Sequence, residues 1–258
     1  MSTKIGWTNE TWNTIVGCSK VSEGCKNCYA EKMAVRLDNI GLQQYAKVVK
    51  EHVGWNGKTA FVKSAPEKPL HWKKPRMIFV NSMGDTFHES VPFDWIDGLM
   101  RIIRQCPQHT FQILTKRPKR MHEYFCTVNE LPECNVWLGV TAENQRCADE
   151  RIPILLQIPA AKRFVSIEPM LGNMIIDPFI HPIDNNGKQY KSGLDWIIVG
   201  CESGHNRREC KIEWVESVVQ QCQDANVPVF VKQLSINGKV EHDITKFPKH
   251  LQIQEWPK

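Results

Sequence analysis

Apolar, β-branched runs recur along the chain at residues 77–81, 111–115, 136–141, 163–167, 196–200 and 227–232. Between them lie stretches with helical spacing, at 94–105, 117–125, 143–158 and 213–224. A run at 11–16 predicts an earlier strand, and 26–37 a helix after it. Strands alternating with helices imply right-handed βαβ units and a parallel sheet. Six or seven such units are enough for an incomplete barrel. The expected class is therefore α/β, a partial (β/α)6-7 TIM-like barrel. Two stretches break the rhythm. Residues 38–75 are rich in Lys and Trp and read as an insertion after the first βα unit. Residues 177–193 lack periodicity and carry the turn signal Asn185-Asn186-Gly187. They read as an irregular loop or small hairpin. At 258 residues the chain can bury one α/β core or two small ones. One domain over 1–258 is the simpler reading.

The polar residues that follow each strand carry more than the strands do. They are Ser82-Met83-Gly84-Asp85, Thr115-Lys116-Arg117, Thr141-Ala142-Glu143-Asn144, Glu168-Pro169, Cys201-Glu202-Ser203-Gly204 and Lys232-Gln233. In parallel α/β folds the C-terminal strand ends share one face, and that face holds the site.

The composition is ordinarily globular, 41% hydrophobic and 24% charged. No apolar run is long enough to span a membrane. Residues 1–7 lack the apolar core of a signal peptide, so a cytoplasmic location is expected. Ten cysteines in a cytoplasmic chain point to metal or redox chemistry more than to disulfides. Seven are scattered and read as small buried hydrophobes. Cys18, Cys25 and Cys28 are clustered as C-x6-C-x2-C. Thiolates suit zinc or iron–sulfur clusters. Structural zinc wants four closed ligands, and neither a second C-x2-C nor a nearby histidine supplies the fourth. A [4Fe–4S] cluster on three cysteines leaves one iron open. The amino and carboxylate groups of S-adenosylmethionine (SAM) can chelate it, and an electron then yields a 5′-deoxyadenosyl radical.

The segment Gly17-Cys18 through Cys25-Lys26-Asn27-Cys28-Tyr29-Ala30 resembles the cluster loop of radical SAM proteins of the spore photoproduct lyase type. There, too, a tyrosine follows the third cysteine. The usual spacing is C-x3-C-x2-C, so this loop is three residues longer. Val80-Asn81-Ser82-Met83-Gly84-Asp85, Ile113-Leu114-Thr115-Lys116-Arg117, Gly139-Val140-Thr141 and Ser166-Ile167-Glu168-Pro169-Met170 are similar to that branch. Gly6-Trp7-Thr8, Thr11-Trp12-Asn13 and Val199-Gly200-Cys201-Glu202-Ser203-Gly204 match a phage-associated three-cysteine family with the longer spacing. The likeness runs from about residue 5 to about residue 235. A phage-encoded chain would work in the host cytoplasm.

The resemblance implies a barrel of the radical SAM type with SAM at the C-terminal strand ends. Cys18, Cys25 and Cys28 would hold the cluster. Asp85, with Ser82 beside it, would take the SAM amino group; the plain alternative for Asp85 is a helix N-cap for Thr86 onward. Lys116 or Arg117 would meet the SAM carboxylate or a substrate phosphate, or else be solvated charge. Thr141 and Glu143 would bond the ribose, or serve as helix cap and first-turn acid. Glu168 would be a ribose or substrate ligand, or an ion-pair partner of Lys162 or Arg163. Glu202 and Lys232 stand as substrate-side groups, and Tyr29 and Cys201 as radical relays.

Two basic stretches, 63–76 around Trp72 and 116–120, are expected at the barrel's open mouth, with Arg207-Arg208 on the same rim. Cations interleaved with aromatics suit phosphate contact and base stacking, though solvated loops look the same. The lyase-type branch acts on thymine lesions. The resemblance therefore implies a nucleic-acid base as substrate, with a modified thymine in phage DNA favoured, and an external electron donor. Two other readings stand. One is a radical SAM enzyme acting on a peptide or small metabolite. The other is a zinc-stabilised nucleic-acid-binding module without catalysis.

Overall fold

The computed structural model describes residues 3, 5–51, 53–128, 131–181, 193–204 and 206–258. The chain divides into two compact units, Met1–Trp137 and Leu138–Lys258. The first contains β1 (Glu10–Trp12), β2 (Ile15–Val16), α1 (Tyr29–Asn39), α2 (Gln43–Ala46), β3 (Val49–Lys50), β4 (Gly54–Trp55), β5 (Ala60–Phe61), β6 (Met77–Val80), α3 (Phe93–Arg104), β7 (Thr110–Thr115) and α4 (Pro118–Val128). Strand β8 (Val136–Thr141) straddles the division. The second holds α5 (Gln145–Leu156), β9 (Lys162–Ile167), α6 (Asp177–Ile180), β10 (Trp196–Gly200), α7 (Ile212–Asp224), β11 (Val229–Ile236) and β12 (Lys239–Glu241).

The hydrogen-bonded strand order is β1-β6-β7-β8-β9-β10-β11-β12, a mostly parallel eight-stranded sheet that does not close. The expected partial TIM-like barrel is thus corrected to an open sheet. The reason lies at the outer edge of β11. Asn237 and Gly238 take φ of 49° and 70° and turn the chain back. Strand β12 then pairs antiparallel with Leu234–Ile236. Farther along, Val231 N donates to Ile253 O (2.9 Å) and Glu255 N to Val229 O (3.1 Å). That edge is therefore spent on local antiparallel pairing. Between β9 and β10 the described residues supply only the one-turn α6. The turn at Asn185-Asn186-Gly187 lies outside the described residues.

Within the first unit β1, β6 and β7 run parallel, with Glu10 beside Ile78 and Met77 beside Thr110. Helix α3 turns Ile96, Leu99, Met100 and Ile103 inward, one face at i, i+3, i+4, i+7. Each such side chain contributes roughly 1.5–3 kcal/mol on burial. Asp94 in the first turn and Arg101 and Arg104 in the last oppose the helix dipole.

The insertion is part of the core. Its β3 and β4 pair antiparallel with each other, and its β5 pairs antiparallel with β2 outside it. Its Tyr45, Val48, Val49 and Ala60 share a buried cluster with Val16, Ala30, Ala34 and Met83, and Cys28 packs against that cluster. The expected insertion thus forms a wall behind the cysteine loop.

Candidate functional site

The cysteine loop leaves β2 at Gly17 and reaches α1 at Tyr29, passing through one 3-10 turn at Glu23–Cys25. Gly17 has φ +95°, and a Cβ there would meet Lys58 O at 2.3 Å and the Val48 side chain at 2.7 Å. Only glycine fits that approach. Its N–H donates to Met83 O (3.1 Å), which pins the loop to the residues following β6. At the loop's far end the Tyr29 hydroxyl donates to Ser82 O (3.0 Å), while the Ser82 hydroxyl donates to Asn13 Oδ1 (3.2 Å). Asn81, in the left-handed region at φ 55°, joins the strand ends together. Its Oδ1 accepts from Thr14 N (2.9 Å) and Ile15 N (3.0 Å), and its Nδ2 donates to Thr86 Oγ1 (2.9 Å). The loop therefore sits at the C-terminal ends of β1 and β6.

Arg117, just past β7, grips the same loop. Its Nη2 donates to Ser19 O (3.2 Å) and Ser19 Oγ (2.8 Å), and its Nη1 to Cys18 Sγ (3.6 Å) and Asp85 Oδ2 (3.0 Å). Nε donates to both oxygens of Glu89. Burial opposes the Arg117 charge, but Asp85, Cys18 and Glu89 outweigh it and push its pKa up. His88 meets the loop from the other side, with Nε2 2.9 Å from Ser19 Oγ. Ser90 N donates to His88 Nδ1 (3.1 Å), so Nε2 carries the proton and donates to Ser19. Burial and the nearby Arg117 hold His88 below the usual imidazole range, which keeps it neutral.

Asp85 is 5% exposed and already engaged. Oδ1 accepts from Phe87 N (2.9 Å) and Thr115 Oγ1 (2.7 Å); Oδ2 accepts from Lys116 N (3.2 Å) and Arg117. The carboxylate caps its own turn and ties the end of β6 to that of β7. Asp85→Asn puts an amide donor among these donors. It is expected to lower the unfolding free energy by about 3 kcal/mol, read from urea titration. Wild-type stability with weakened SAM binding would instead mark Asp85 as a ligand. The Lys116 side chain is half-buried, with no ion-pair partner among the described residues.

All three loop cysteines are half-buried free thiols. Burial pushes the Cys18 thiol up to about 12; Asp85 adds to the rise and Arg117 opposes it. A thiolate at Cys18 therefore needs cationic company beyond the guanidinium. Among the described residues no group of three or more His, Cys, Asp or Glu side chains is gathered as a metal site. In kind and number the donors fit a three-thiolate cluster: three soft ligands, on one loop, with no disulfide. They fit structural zinc less well. His88, the imidazole touching the loop, has both ring nitrogens engaged, so it offers no fourth ligand.

In the second unit the expected rim residues are mostly paired. Thr141 is buried and its carbonyl accepts from Arg151 Nη1 (2.8 Å). Helix α5 is capped by Asn144, whose Oδ1 accepts from Cys147 N (3.0 Å). Thr141 is not that cap. Glu143 is fully buried against Arg151 (2.9 Å). Glu168 pairs with Lys232 (2.5 Å), joining the ends of β9 and β11; Lys162 faces Asp195 instead. Glu202 accepts from Arg208 through N, Nε and Nη2. Cys201 is buried and its thiol is pushed up to about 12, by burial first and then by Cys210 and Glu168.

The basic stretches separate. Thr110 N donates to Arg76 O (2.9 Å), so Trp72 to Arg76 lie at the N-terminal ends of β6 and β7. That is the end opposite the cysteine loop, which corrects the expected place of residues 72–76; the start of the stretch stays near β2, where Val62 N donates to Thr14 O (2.8 Å). Trp72 is engaged as well: Lys68 Nζ and Arg76 Cζ lie 5.7 and 5.3 Å from its ring, and His109 meets it edge-on. It is a packed ring, not an open stacking platform. In the other stretch Arg120 is spent on His88 O, Val91 O and the Phe93 ring.

Sequence reasoning missed Ser19, Asn81, His88 and Glu89. The apolar run at 77–81 reads Asn81 as the last strand residue. Asn, however, tolerates the left-handed region, which is the signal for a strand's end. His88 and Glu89 follow Asp85 by three and four residues, too far for a strand-end pattern to collect.

The first unit presents, at the C-terminal ends of its strands, a loop carrying three thiols whose Cys18–Ser19 end is held by Arg117, itself paired with Asp85 and Glu89. A family model described as "Protein of unknown function (DUF5131)" matches residues 2–256, and the chain belongs to that family. No curated protein and no solved structure matches the chain. Among the described residues no helix is long and apolar enough to cross a membrane.

Proposed function

We propose that the chain is a radical SAM enzyme whose Cys18, Cys25 and Cys28 hold a [4Fe–4S] cluster. One observation carries the reading: a loop of three uncrosslinked thiols fixed at the C-terminal ends of parallel strands by Gly17, Asn81 and Arg117. Ligands of open parallel sheets bind outside that edge. When bound, such a cluster supplies one electron and an open iron for SAM. The chain's part is to fix the loop, to exclude water behind Cys28 with the insertion's apolar wall, and to offset thiolate charge with Arg117. The proposed substrate is a nucleic-acid base, DNA first. Its support is Lys26 and Lys119, exposed, and Lys116, half-buried, all without ion-pair partners among the described residues. An external donor supplies the electron.

Anaerobic reconstitution with iron and sulfide tests this. About four irons per chain are expected. SAM and dithionite should then give 5′-deoxyadenosine. One zinc per chain and no iron uptake would leave the zinc-module reading in its place. DNA affinity should fall as salt rises, by roughly one log unit per log unit of salt for each phosphate contact. Salt-independent or absent binding moves the substrate to a peptide or small metabolite.

A further inference from the structure

We propose that Arg117 is a positioning residue dedicated to the cysteine loop, closed to any outside anion, and that its N–H to Cys18 tunes the cluster. Only the tuning rests on the cluster reading; the clamp stands on the protein alone.

A guanidinium has five N–H groups. All five are used here. Nε serves Glu89, Nη1 serves Cys18 and Asp85, and Nη2 serves the carbonyl and hydroxyl of Ser19. The side chain is 5% exposed. Its backbone N–H is tied to Thr115 Oγ1 (2.9 Å), which fixes where the fork starts. No donor remains for a SAM carboxylate or a substrate phosphate, the roles its place after β7 would otherwise invite. What the fork does instead is join four segments: the loop at residues 18–19, the turn at Asp85, Glu89, and the end of β7. Buried Asp85 holds the fork on its Nη1 side and exposed Glu89 holds it at Nε. Lysine cannot replace this, because three tetrahedral donors do not match a planar fork.

The contact with Cys18 sets a chemical consequence. A permanent cation donating to a ligand sulfur favours the more negative, reduced state of the site. Hydrogen bonds to cluster sulfurs are among the terms that set reduction potential. Removing the donor shifts the midpoint to more negative potential.

Three variants of the full chain test the clamp without metal. Trypsin cleavage after Lys20 and Lys26 is followed by mass spectrometry, with cleavage after Lys239, in the other unit, as the reference. In Arg117→Lys the loop cleavage should rise ~10-fold or more, because the lost bonds are charge-assisted. Lys239 cleavage should stay at the wild-type rate. Ser19→Ala should raise loop cleavage less. Glu89→Gln alters only the exposed end of the clamp, so it folds even if the arginine variant does not. It should raise loop cleavage measurably. Wild-type loop protection in Arg117→Lys and Glu89→Gln, or loop cleavage that rises only in step with Lys239, overturns the clamp. In reconstituted protein, Arg117→Lys should titrate at a more negative midpoint potential; an unchanged midpoint overturns the tuning. If wild-type protein takes up no iron, the cluster reading fails, and the cleavage data still decide the clamp.

Discussion

Replacing Cys18, Cys25 or Cys28 by alanine is expected, in each case, to abolish the iron and the visible absorbance of the reconstituted protein. Three thiolates are the minimum set that holds a cubane with one iron left open, so no ligand is spare. The loop does not offer substitutes. Ser22 Oγ lies 3.9 Å from Cys25 Sγ, but a hydroxyl is a hard and weakly acidic ligand. Cys126 and Cys134 are exposed thiols away from the motif. Their alanine variants should load iron as wild type does. The metal-free cysteine variants should remain folded, since all three thiols are only half-buried. Their unfolding free energy should therefore stay within about 1 kcal/mol of wild type. Full iron loading in any one of the three would show that this cysteine is no ligand and that the spacing has been misread.

The sequence located strands well because the signal is local. The runs at 111–115, 163–167 and 196–200 match β7, β9 and β10 to within a residue, since β-branched side chains mark them directly. The closure of the sheet was not local. It turned on what covers β11, and the pairing of residues 253–255 with Val229–Val231 has no signature in either segment alone. The hairpin into β12 did have one. Asn237-Gly238 between alternating residues is a strong two-residue turn signal. The site divides in the same way. The three cysteines are legible from spacing. The polar residues after the strands are legible as a set, but their partners are not. Sequence proximity points Glu168 to Lys162 or Arg163, whereas its partner Lys232 is 64 residues away. Arg117 reads as one of a basic run. Only the fold shows that this arginine and Arg120 are spent inside the protein while Lys116 and Lys119 have no ion-pair partner among the described residues.

Arg151→Met is expected to destabilise the protein by about 3–5 kcal/mol, the usual cost of leaving one member of a buried ion pair without the other. Glu143 is fully buried and Arg151 nearly so, and they meet at 2.9 Å. The guanidinium also donates to Thr141 O, so the arginine fixes both the end of β8 and the start of α5. Methionine fills similar volume but donates nothing, and Glu143 would be left as an uncompensated carboxylate in the core. The partner change decides between two roles for Glu143. If its part is structural, Arg151→Met combined with Glu143→Leu should recover most of the lost stability, because well-packed apolar residues replace a buried pair at little net cost. Urea unfolding of the two single variants and the double variant measures the coupling. If Glu143 instead serves the SAM ribose, Arg151→Met should unfold near the wild-type midpoint and show its defect as weaker SAM binding. A single variant within about 1 kcal/mol of wild type would therefore remove the buried-pair account and return Glu143 to the list of cofactor ligands.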